Sequence, residues 1–419
     1  MSNYTAKNFV SSPSIPPQSS ITHIRISLDL KKPSKQLLIQ PYDDQGMDFD
    51  SYLTSDAKVL QRYKAMSTAL GKFTRHFKKS WDKVVNPKSI SKTYFDLLKA
   101  GNITFHRIFN TEAKEYLEEH ISRLSETIEN LVIQVETDRV TFPWELLVNE
   151  IPNLEETVSP ETLINTFWGS KYIIHRTISK GRIHSGFKGK NLPIQKGLFV
   201  SDHGAPHVID EIHALNEIMM NTPSEQTFFD DIPLFVEIHA KNDIEVAREI
   251  KKWLCMHFDL IHFAGHAGSD TEFPDNSYFT ITKGFKIQLE NLDVDGVFGF
   301  THRSPFLIMN SCQTGNEAGR PFGFVQKFLS KNEVDRNLLS ACGMIATQTE
   351  VPGKVAEEFS KRFYNLTIEE SMNFGEALLR IRQDFLEKYN PLGLTYSLYA
   401  FPYVKFKLTS IEQGESNNE

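Results

Sequence analysis

Hydrophobic positions change their spacing along the chain, and each spacing predicts a different kind of element. Two short runs, at residues 21–30 and 36–40, are typical of β-strands, and the first contains the alternating stretch HIRISLDL. From Ser55 onward, apolar residues recur every three or four positions, which predicts a long helix with one buried face. A second helix and an apolar strand at 131–135 follow, the helix being marked by Leu117, Ile121, Leu124 and Ile128. The first half is therefore expected to be mixed α+β.

The second half alternates short apolar runs with helical patterns. The runs lie at 197–201, 234–238, 259–264, 306–310 and 343–347. They are apolar throughout, so both faces of each strand should be covered, as in a mostly parallel sheet flanked by helices. Helices are predicted at 210–220 and 242–254, the latter opened by Asn242 and Glu245 at the spacing of an N-cap and its capping-box partner.

Two further features complete this α/β half. A hairpin turning at Lys283-Gly284 is predicted over 278–289. A last run at 399–406 contains Pro402, which favours an edge or irregular strand because proline cannot donate to a sheet ladder.

A polar, glycine-containing stretch at 179–191 is the candidate domain boundary. The predicted organisation of the chain is then a disordered lead at 1–20, an α+β region at 21–190, a second domain at 191–408 and a disordered tail at 409–419.

Composition narrows the possible functions. The net charge of −7 gives no overall basic surface for direct binding of nucleic acid. No apolar stretch reaches the roughly 18 residues of a membrane span, and the N-terminus lacks the pattern of a secretory signal. Three cysteines are too few for a disulfide framework, so a reducing, cytoplasmic setting is expected.

Cations cover the polar side of the first long helix. They are Lys58, Arg62, Lys64, Lys72, Arg75, Lys78 and Lys79. Two interpretations stay open: a solvated helix face, or a docking surface for an acidic partner.

Two residues that could be catalytic, a histidine and a cysteine, follow the ends of two of the predicted buried strands. The apolar run at 259–264 ends before Gly265 and His266, and the run at 306–310 is followed closely by Cys312, which precedes Gly315. The carboxyl ends of parallel strands share one edge of a sheet, so neighbouring strands would bring His266 and Cys312 together. A thiol that attacks a peptide carbonyl needs an imidazole to keep the sulfur ionised and to protonate the leaving amine.

Cys312 and His266 also have interpretations without catalysis. A lone cysteine at the end of a core strand is usually an inert small hydrophobe, and Cys255 and Cys342 are interpreted in that way. His262 and His266 could suggest a metal pair, but the strand and Gly265 disfavour a helical i,i+4 site. We therefore expect no metal and no cofactor.

The residues around this pair resemble the CHAT family of caspase-like cysteine peptidases. The hallmark segments are His-Phe-Ala-Gly-His at 262–266 and Asn-Ser-Cys-Gln-Thr-Gly at 310–315. Weaker matches are Pro-Trp-Glu-Leu-Leu at 143–147, Glu211, and the segments at 363–364 and 374–378. The resemblance covers about 125 to 408 and is to the prokaryotic type without fused tetratricopeptide repeats.

The resemblance implies a caspase-type sheet and a catalytic dyad of His266 and Cys312 without an essential third residue. Amides of Cys312 and of Ala267 or Gly268 would form the oxyanion hole. The family usually has glycine directly after the dyad histidine, whereas Ala267 intervenes here, so the amide that completes the hole stays open.

A residue that selects the substrate side chain before the scissile bond is expected at the same edge of the sheet. In the related separases an acid after the strand corresponding to 343–347 binds arginine, which makes Glu350 the candidate for selecting Arg or Lys. The alternative is a solvated loop acid. Asp270 is the second candidate, and Asp202 or Glu272 could serve instead.

The sequence therefore predicts a cysteine endopeptidase that cleaves protein substrates, in a regulated pathway for which the resemblance suggests antiviral defence. A protein activator, or cleavage within 315–337, is expected to relieve a latent state. The alternatives are a catalytically silent scaffold that binds a protein partner, and a nucleotide-responsive sensor, which is disfavoured because no Gly-rich phosphate loop occurs.

Overall fold

The computed structural model describes residues 23–29, 37–41, 46–126, 128–137, 143–153, 158–178, 191–202, 207–221, 242–268, 276–281, 285–293, 298–311, 323–330, 335 and 337–408. The expected lead at 1–20, the apolar run at 234–238 and the expected tail at 409–419 lie outside these residues.

The strands run in chain order as follows: β1 His23–Leu28, β2 Leu37–Pro41, β3 Met47–Phe49, β4 Val132–Thr137, β5 Ile173–Ile178, β6 Asn191–Ile194, β7 Gly197–Ser201, β8 Leu260–Gly265, β9 Ala267–Gly268, β10 Tyr278–Ile281, β11 Phe285–Gln288, β12 Phe306–Ser311, β13 Gly343–Thr347, β14 Tyr396–Tyr399 and β15 Lys405–Leu408. The helices are α1 Asp56–His76, α2 Pro87–Ile108, α3 Thr111–Ser125, α4 Pro160–Ile164, α5 Trp168–Lys171, α6 Val208–Asn221, α7 Asp243–Leu254, α8 Phe324–Leu329, α9 Gly353–Tyr364 and α10 Phe374–Glu387.

A ten-stranded sheet in the order β3-β2-β1-β4-β5-β14-β13-β12-β8-β7 organises the molecule. β1, β4, β5 and β14 run parallel to one another, and so do β13, β12, β8 and β7. The two blocks meet at the antiparallel pair β13–β14. The fold class is thus the predicted one, a mostly parallel α/β sheet flanked by helices.

Both faces of the central strands are buried, which explains their uninterrupted hydrophobicity. In β12, Phe306 and Ile308 pack into one apolar cluster, whereas Leu307 and Met309 pack into another on the opposite face. Alternation of side chains across a strand requires this when helices cover both sides.

Helices of the first half pack against the larger of these clusters. α1 confirms the predicted long amphipathic helix, with Met66 and Phe73 fully buried. α3 ends at Ser125, before the expected Ile128. α2 is an element that the sequence analysis does not predict, although Asn86 caps it and Pro87 occupies its first turn.

In the second half, the strands predicted at 197–201, 259–264, 306–310 and 343–347 and the helices predicted at 210–220 and 242–254 are confirmed with small shifts of their ends. Asn242 caps α7 by accepting a hydrogen bond from the Glu245 amide at 3.0 Å. β10 and β11 form the expected antiparallel hairpin, whose turn lies outside the described residues.

The expectation of one last edge strand at 399–406 is wrong. Two strands flank Pro402 instead: β14 lies inside the large sheet between β13 and β5, and β15 pairs with β6 in a separate two-stranded sheet. The proline lies between them, where its carbonyl accepts a hydrogen bond from the Gly375 amide. Because β14 joins β5 to β13, the large sheet continues across the boundary predicted at 190, and the division into domains stays a prediction.

None of the helices in the described part of the chain is long and apolar enough to cross a membrane.

Candidate active site

The carboxyl ends of β7, β8 and β12 lie side by side at one edge of the large sheet. Ser311 of β12 is in register with Gly265 of β8, and Ala264 is in register with Ser201 of β7. Neighbouring strands are about 4.8 Å apart. The residues that follow these strands in the chain are Asp202, His266 and Cys312, so the predicted adjacency of β8 and β12 is confirmed.

His266 is exposed and is oriented by a buried carboxylate. Its Nδ1 lies 3.1 Å from Oδ2 of Asp202, whose side chain is 5 % exposed, whereas the imidazole is 64 % exposed. With Nδ1 bound to Asp202, Nε2 is the ring nitrogen left for proton transfer. The sequence analysis considered Asp202 only as a substitute selecting acid, so the contact is a new feature of the site.

Gly265 permits this contact. Its φ of +148° is one that residues with a side chain rarely adopt, and a Cβ at this position would lie 2.7 Å from Cβ of Asp202. The strand end can approach Asp202 only because residue 265 has no side chain. The Asp202 amide also donates to the Ala264 carbonyl at 3.0 Å, which ties the two strand ends together.

Cys312 itself lies outside the described residues, but the end of its strand is held firmly. Ser311 is 5 % exposed, and its carbonyl accepts a hydrogen bond from Oγ1 of Thr347 on the neighbouring β13. The backbone immediately before the candidate nucleophile is therefore fixed to the sheet.

A buried polar network lies beneath this edge and centres on Glu211 of α6. Oε1 of Glu211 accepts from Nε2 of His262 at 2.8 Å, from Oγ of Ser360 at 2.6 Å and from Nδ2 of Asn310 at 2.7 Å. All four side chains are at most 3 % exposed. The network links the helices α6 and α9 to the two strands that precede His266 and Cys312.

Two tyrosines complete the network. The Tyr364 hydroxyl donates to Nδ1 of His262 across 3.1 Å, and the Tyr396 hydroxyl donates to Oδ1 of Asn310 across 2.7 Å. Burial, with Glu211 adding to it, raises the pKa of Tyr364 well above its ordinary value. His262 thus has both ring nitrogens occupied, and the structure places it in the core, separate from His266.

A cleft of about 530 Å³ opens over the network. Its floor includes Glu211, Asn310 and Ser311, and its rim includes Gly265 and His266. One wall is the loop from Glu350 to Gly353, and another is formed by Gly71, Thr74, Arg75 and Lys78. The volume falls within the usual range for ligand pockets.

Among the candidate selecting acids, Glu350 lies in this cleft with an exposed side chain. Its loop is attached to α1: Oγ1 of Thr74 donates to the Glu350 carbonyl at 3.3 Å, and the Tyr63 hydroxyl donates to the Gln348 carbonyl at 2.9 Å. Asp270 and Glu272 lie outside the described residues.

The candidate oxyanion residues Ala267 and Gly268 form β9, directly after His266. They pair with Phe279 and Tyr278 of β10, and the His266 carbonyl accepts from the Thr280 amide at 2.7 Å. A Cβ on Gly268 would lie within 3 Å of the Tyr278 ring, so this position also depends on glycine. Which amide would face an oxyanion stays a prediction.

The other two cysteines are in settings that suppress reactivity. Desolvation raises the pKa of the Cys342 thiol to about 12. Desolvation also raises the pKa of Cys255, whose sulfur donates to the Gly299 carbonyl at 3.4 Å. The thiolate is the nucleophilic form, so neither is suited to attack at neutral pH.

Within the described ranges, one cluster has ligand atoms close enough for a metal ion, namely His207, Asp210 and Glu357. Nζ of Lys354 lies 2.8 Å from Glu357 and 3.3 Å from Asp210, and Lys361 is 2.7 Å from Glu357. The carboxylates are already paired with lysines, so the cluster is accounted for as an ion-pair network.

Comparison with known proteins adds a family match. The model of the CHAT domain matches residues 104–397, well over half of the chain. A search of the curated proteins finds no match.

Solved structures with partial similarity to this chain include the following three. The Arg-specific cysteine proteinase gingipain R has 10 % identity and a TM-score of 0.47, covering 71 % of this chain and 68 % of that one. The complex of the Porphyromonas gingivalis RgpB pro- and mature domains has 10 % identity and a TM-score of 0.46, with 77 % and 78 % covered. The Saccharomyces cerevisiae separase–securin complex has 11 % identity and a TM-score of 0.43, with 93 % of this chain covered and 30 % of that one. These TM-scores are below 0.5, a similarity that supports no inference about function.

Proposed function

The chain belongs to the CHAT-domain family, and on that premise we propose that it is a cysteine endopeptidase whose nucleophile is Cys312 and whose base is His266. Membership supports proteolysis in general. The observation that carries the specific assignment is the register of Ser311 with Gly265, since the two residues that follow them are Cys312 and His266.

The chemistry proceeds in two steps. The Cys312 thiolate attacks the scissile carbonyl, a C–S bond forms, and His266 gives its proton to the leaving amine as the C–N bond breaks. In the second step His266 removes a proton from water, the hydroxide adds to the acyl carbon, and the C–S bond breaks to regenerate the thiolate. Asp202 is a positioning residue that holds His266 through Nδ1 and leaves Nε2 for both transfers.

Backbone amides would stabilise the oxyanion formed in each step. We assign this role to Cys312 together with Ala267 or Gly268, because the small residues Gly265 and Gly268 around His266 allow close approach of the substrate carbonyl.

The substrate is proposed to carry a basic residue before the scissile bond. Glu350 supports this: it is an exposed carboxylate in the same cleft as His266, and a charge-assisted pair with Arg or Lys would form there. Asp270 stays a second candidate. A protein activator and a role in antiviral defence are proposals that rest on the resemblance alone.

Cleavage of a peptide library by wild type and Cys312→Ala tests the assignment. We expect wild type to cleave after Arg or Lys, and Cys312→Ala to be inactive. Cys342→Ala is the matched control and should cleave as wild type does, since its thiol is protonated at neutral pH. Equal cleavage by Cys312→Ala would refute the nucleophile, and a loss of basic preference in Glu350→Gln would support the selecting acid.

A further inference from the structure

Part of α1 and the residues just after it form a wall of the cleft. Gly71, Thr74 and Arg75 are spaced three and four positions apart on one side of α1, and Lys78 lies two residues beyond the end of the helix at His76. This side differs from the one that packs into the core through Met66 and Phe73. Of the cations predicted on the first long helix, Arg75 and Lys78 line the cleft. For these two, a docking surface is therefore favoured over a simply solvated face.

The wall is fixed relative to the candidate selecting acid. Thr74, next to Arg75 in the chain, donates to the Glu350 carbonyl, and the buried Tyr63 donates to the Gln348 carbonyl. Two cations and one carboxylate are thus held around the same space by hydrogen bonds between α1 and the loop after β13.

These cations have no partner among the residues that the structure describes. Arg75 and Lys78 are exposed, and neither side chain makes an ion pair or hydrogen bond with the part of the chain that the structure describes. Elsewhere on the same helix, by contrast, Lys72 pairs with Asp96 and Lys58 donates to Thr54. A cation near a helix C-terminus interacts favourably with the helix dipole. This explains why a cation occurs in the last turn of α1, but not why Arg75 faces the cleft.

We propose that Arg75 and Lys78 bind an acidic side chain of the substrate, so that the cleft selects a segment in which an acidic residue lies close to a basic one. The proposal rests on the proposed function, in which the cleft holds a peptide. A lone basic residue beside Glu350 would also meet two positive charges. An acidic neighbour in the substrate would pair with those charges and remove the repulsion.

Binding to the inactive variant Cys312→Ala tests the proposal without requiring turnover. The probes are fluorescent peptides with one arginine and a glutamate at either of the two positions on each side of it, each matched to a glutamine version. We expect glutamate at one position to strengthen binding about three- to tenfold at low salt, with the gain shrinking as salt rises. Arg75→Gln with Lys78→Gln should abolish the gain, whereas Lys64→Gln, an exposed lysine of α1 outside the cleft, should keep it.

Charge reversal provides a readout that a stability effect would not mimic. In the Cys312→Ala background, Arg75→Glu with Lys78→Glu should favour lysine over glutamate at the same peptide position. Equal binding of glutamate and glutamine peptides at every position, or a gain that survives the double glutamine variant, would overturn the proposal.

The two proposals fail in different ways. Cleavage by wild type without any preference for the acidic residue would refute the cationic wall and leave the peptidase intact. A glutamate-dependent gain in binding together with labelling at a thiol other than Cys312 would refute the nucleophile and leave the wall intact.

Discussion

Two buried glutamates in this molecule have opposite kinds of partners. Glu145, in the short 3-10 helix Trp144–Leu146, is fully buried and contacts two buried arginines, Arg176 and Arg382. Glu211, 3 % exposed, contacts His262, Ser360 and Asn310. The first is an ionic network, and the second is built around hydrogen-bond donors that carry no fixed charge.

The ionic network holds the first half of the sheet to its centre. Arg176 extends from β5 and Arg382 from α10, and Arg382 also donates to the Tyr396 carbonyl of β14 at 2.7 Å. Burial alone would lower the pKa of Arg176, but Glu145 and Tyr399 together outweigh it and raise that pKa. Burial lowers the pKa of Arg382 to about 10, against the attraction of Glu145, so both arginines stay charged at neutral pH.

The Glu211 network instead forms the floor of the cleft. Its members position the two strands that end next to the candidate dyad. The comparison teaches that buried carboxylates differ less in their burial than in their partners. Glu145 balances two arginines and stabilises the fold, whereas Glu211 accepts hydrogen bonds from side chains without a fixed charge and lines the candidate site.

The largest expected effect is on stability, from Glu145→Ala. Two buried guanidinium groups would lose their counter-charge, and breaking such a pair costs about 3–5 kcal/mol of unfolding free energy. Urea denaturation measures it, with the exposed Glu150→Ala as the control, expected within about 0.5 kcal/mol of wild type. A loss below about 1 kcal/mol for Glu145→Ala would contradict the structural role given to this network.

Asp202→Asn is expected to act on catalysis rather than on the fold. Loss of the carboxylate that orients His266 should lower kcat about 10- to 100-fold with KM little changed. Steady-state kinetics with a cleaved peptide measure the split, and His266→Ala sets the lower limit of activity. An unchanged kcat would show that the dyad works without Asp202, as the family resemblance alone would suggest.

A smaller effect is expected from replacing each glutamate with its neutral isostere. Oε1 of Glu211 accepts all three hydrogen bonds, so Glu211→Gln can keep them and should cost about 1 kcal/mol of unfolding free energy. Glu145 uses both oxygens and balances charge, so Glu145→Gln should cost about 3 kcal/mol. Equal losses measured in the same denaturation series would remove the distinction between the two networks.

The last expected effect is on thiol reactivity alone, at Cys342, which belongs with the fold rather than with the cleft. With a pKa of about 12, it should react with iodoacetamide at pH 8 about a thousandfold more slowly than a free thiol. The folded pKa lies above the ordinary 9.0, so this thiol's contribution to stability is complete below pH 9 and declines as pH rises toward 12. Mass spectrometry of alkylated peptides measures the rate, and rapid labelling of Cys342 in the folded protein would contradict the raised pKa of this thiol.

Much of the site could be predicted because its signals are local. Uninterrupted apolar runs that end in Gly265-His266 and in Ser311-Cys312 indicate buried parallel strands, and the sequence places both candidate catalytic residues directly after strand ends. The long helix α1 follows from its periodicity in the same way. α2 carried a comparable signal, an Asn86-Pro87 start followed by a helical apolar pattern, and could have been found.

The features that could not be predicted depend on contacts between segments that are distant in the sequence. The place of β14 in the middle of the sheet follows from strand pairing, which an apolar pattern does not specify. Asp202 meets His266 only because β7 lies beside β8 and Gly265 adopts its unusual φ. The partners of Glu211 lie 51 to 149 residues away in the chain, and Arg75 reaches the cleft from the opposite half of the sequence.

Covalent labelling tests the central claim most directly. A peptide ending in an arginyl acyloxymethyl ketone would be added to wild type and His266→Ala, and the modified residue mapped by mass spectrometry. The account predicts one adduct, on Cys312, formed at least about 100-fold faster in wild type than in His266→Ala. Labelling of Cys312 at equal rates in both proteins, or labelling of Cys255 or Cys342 in its place, would contradict the assignment of His266 and Cys312 as the catalytic pair.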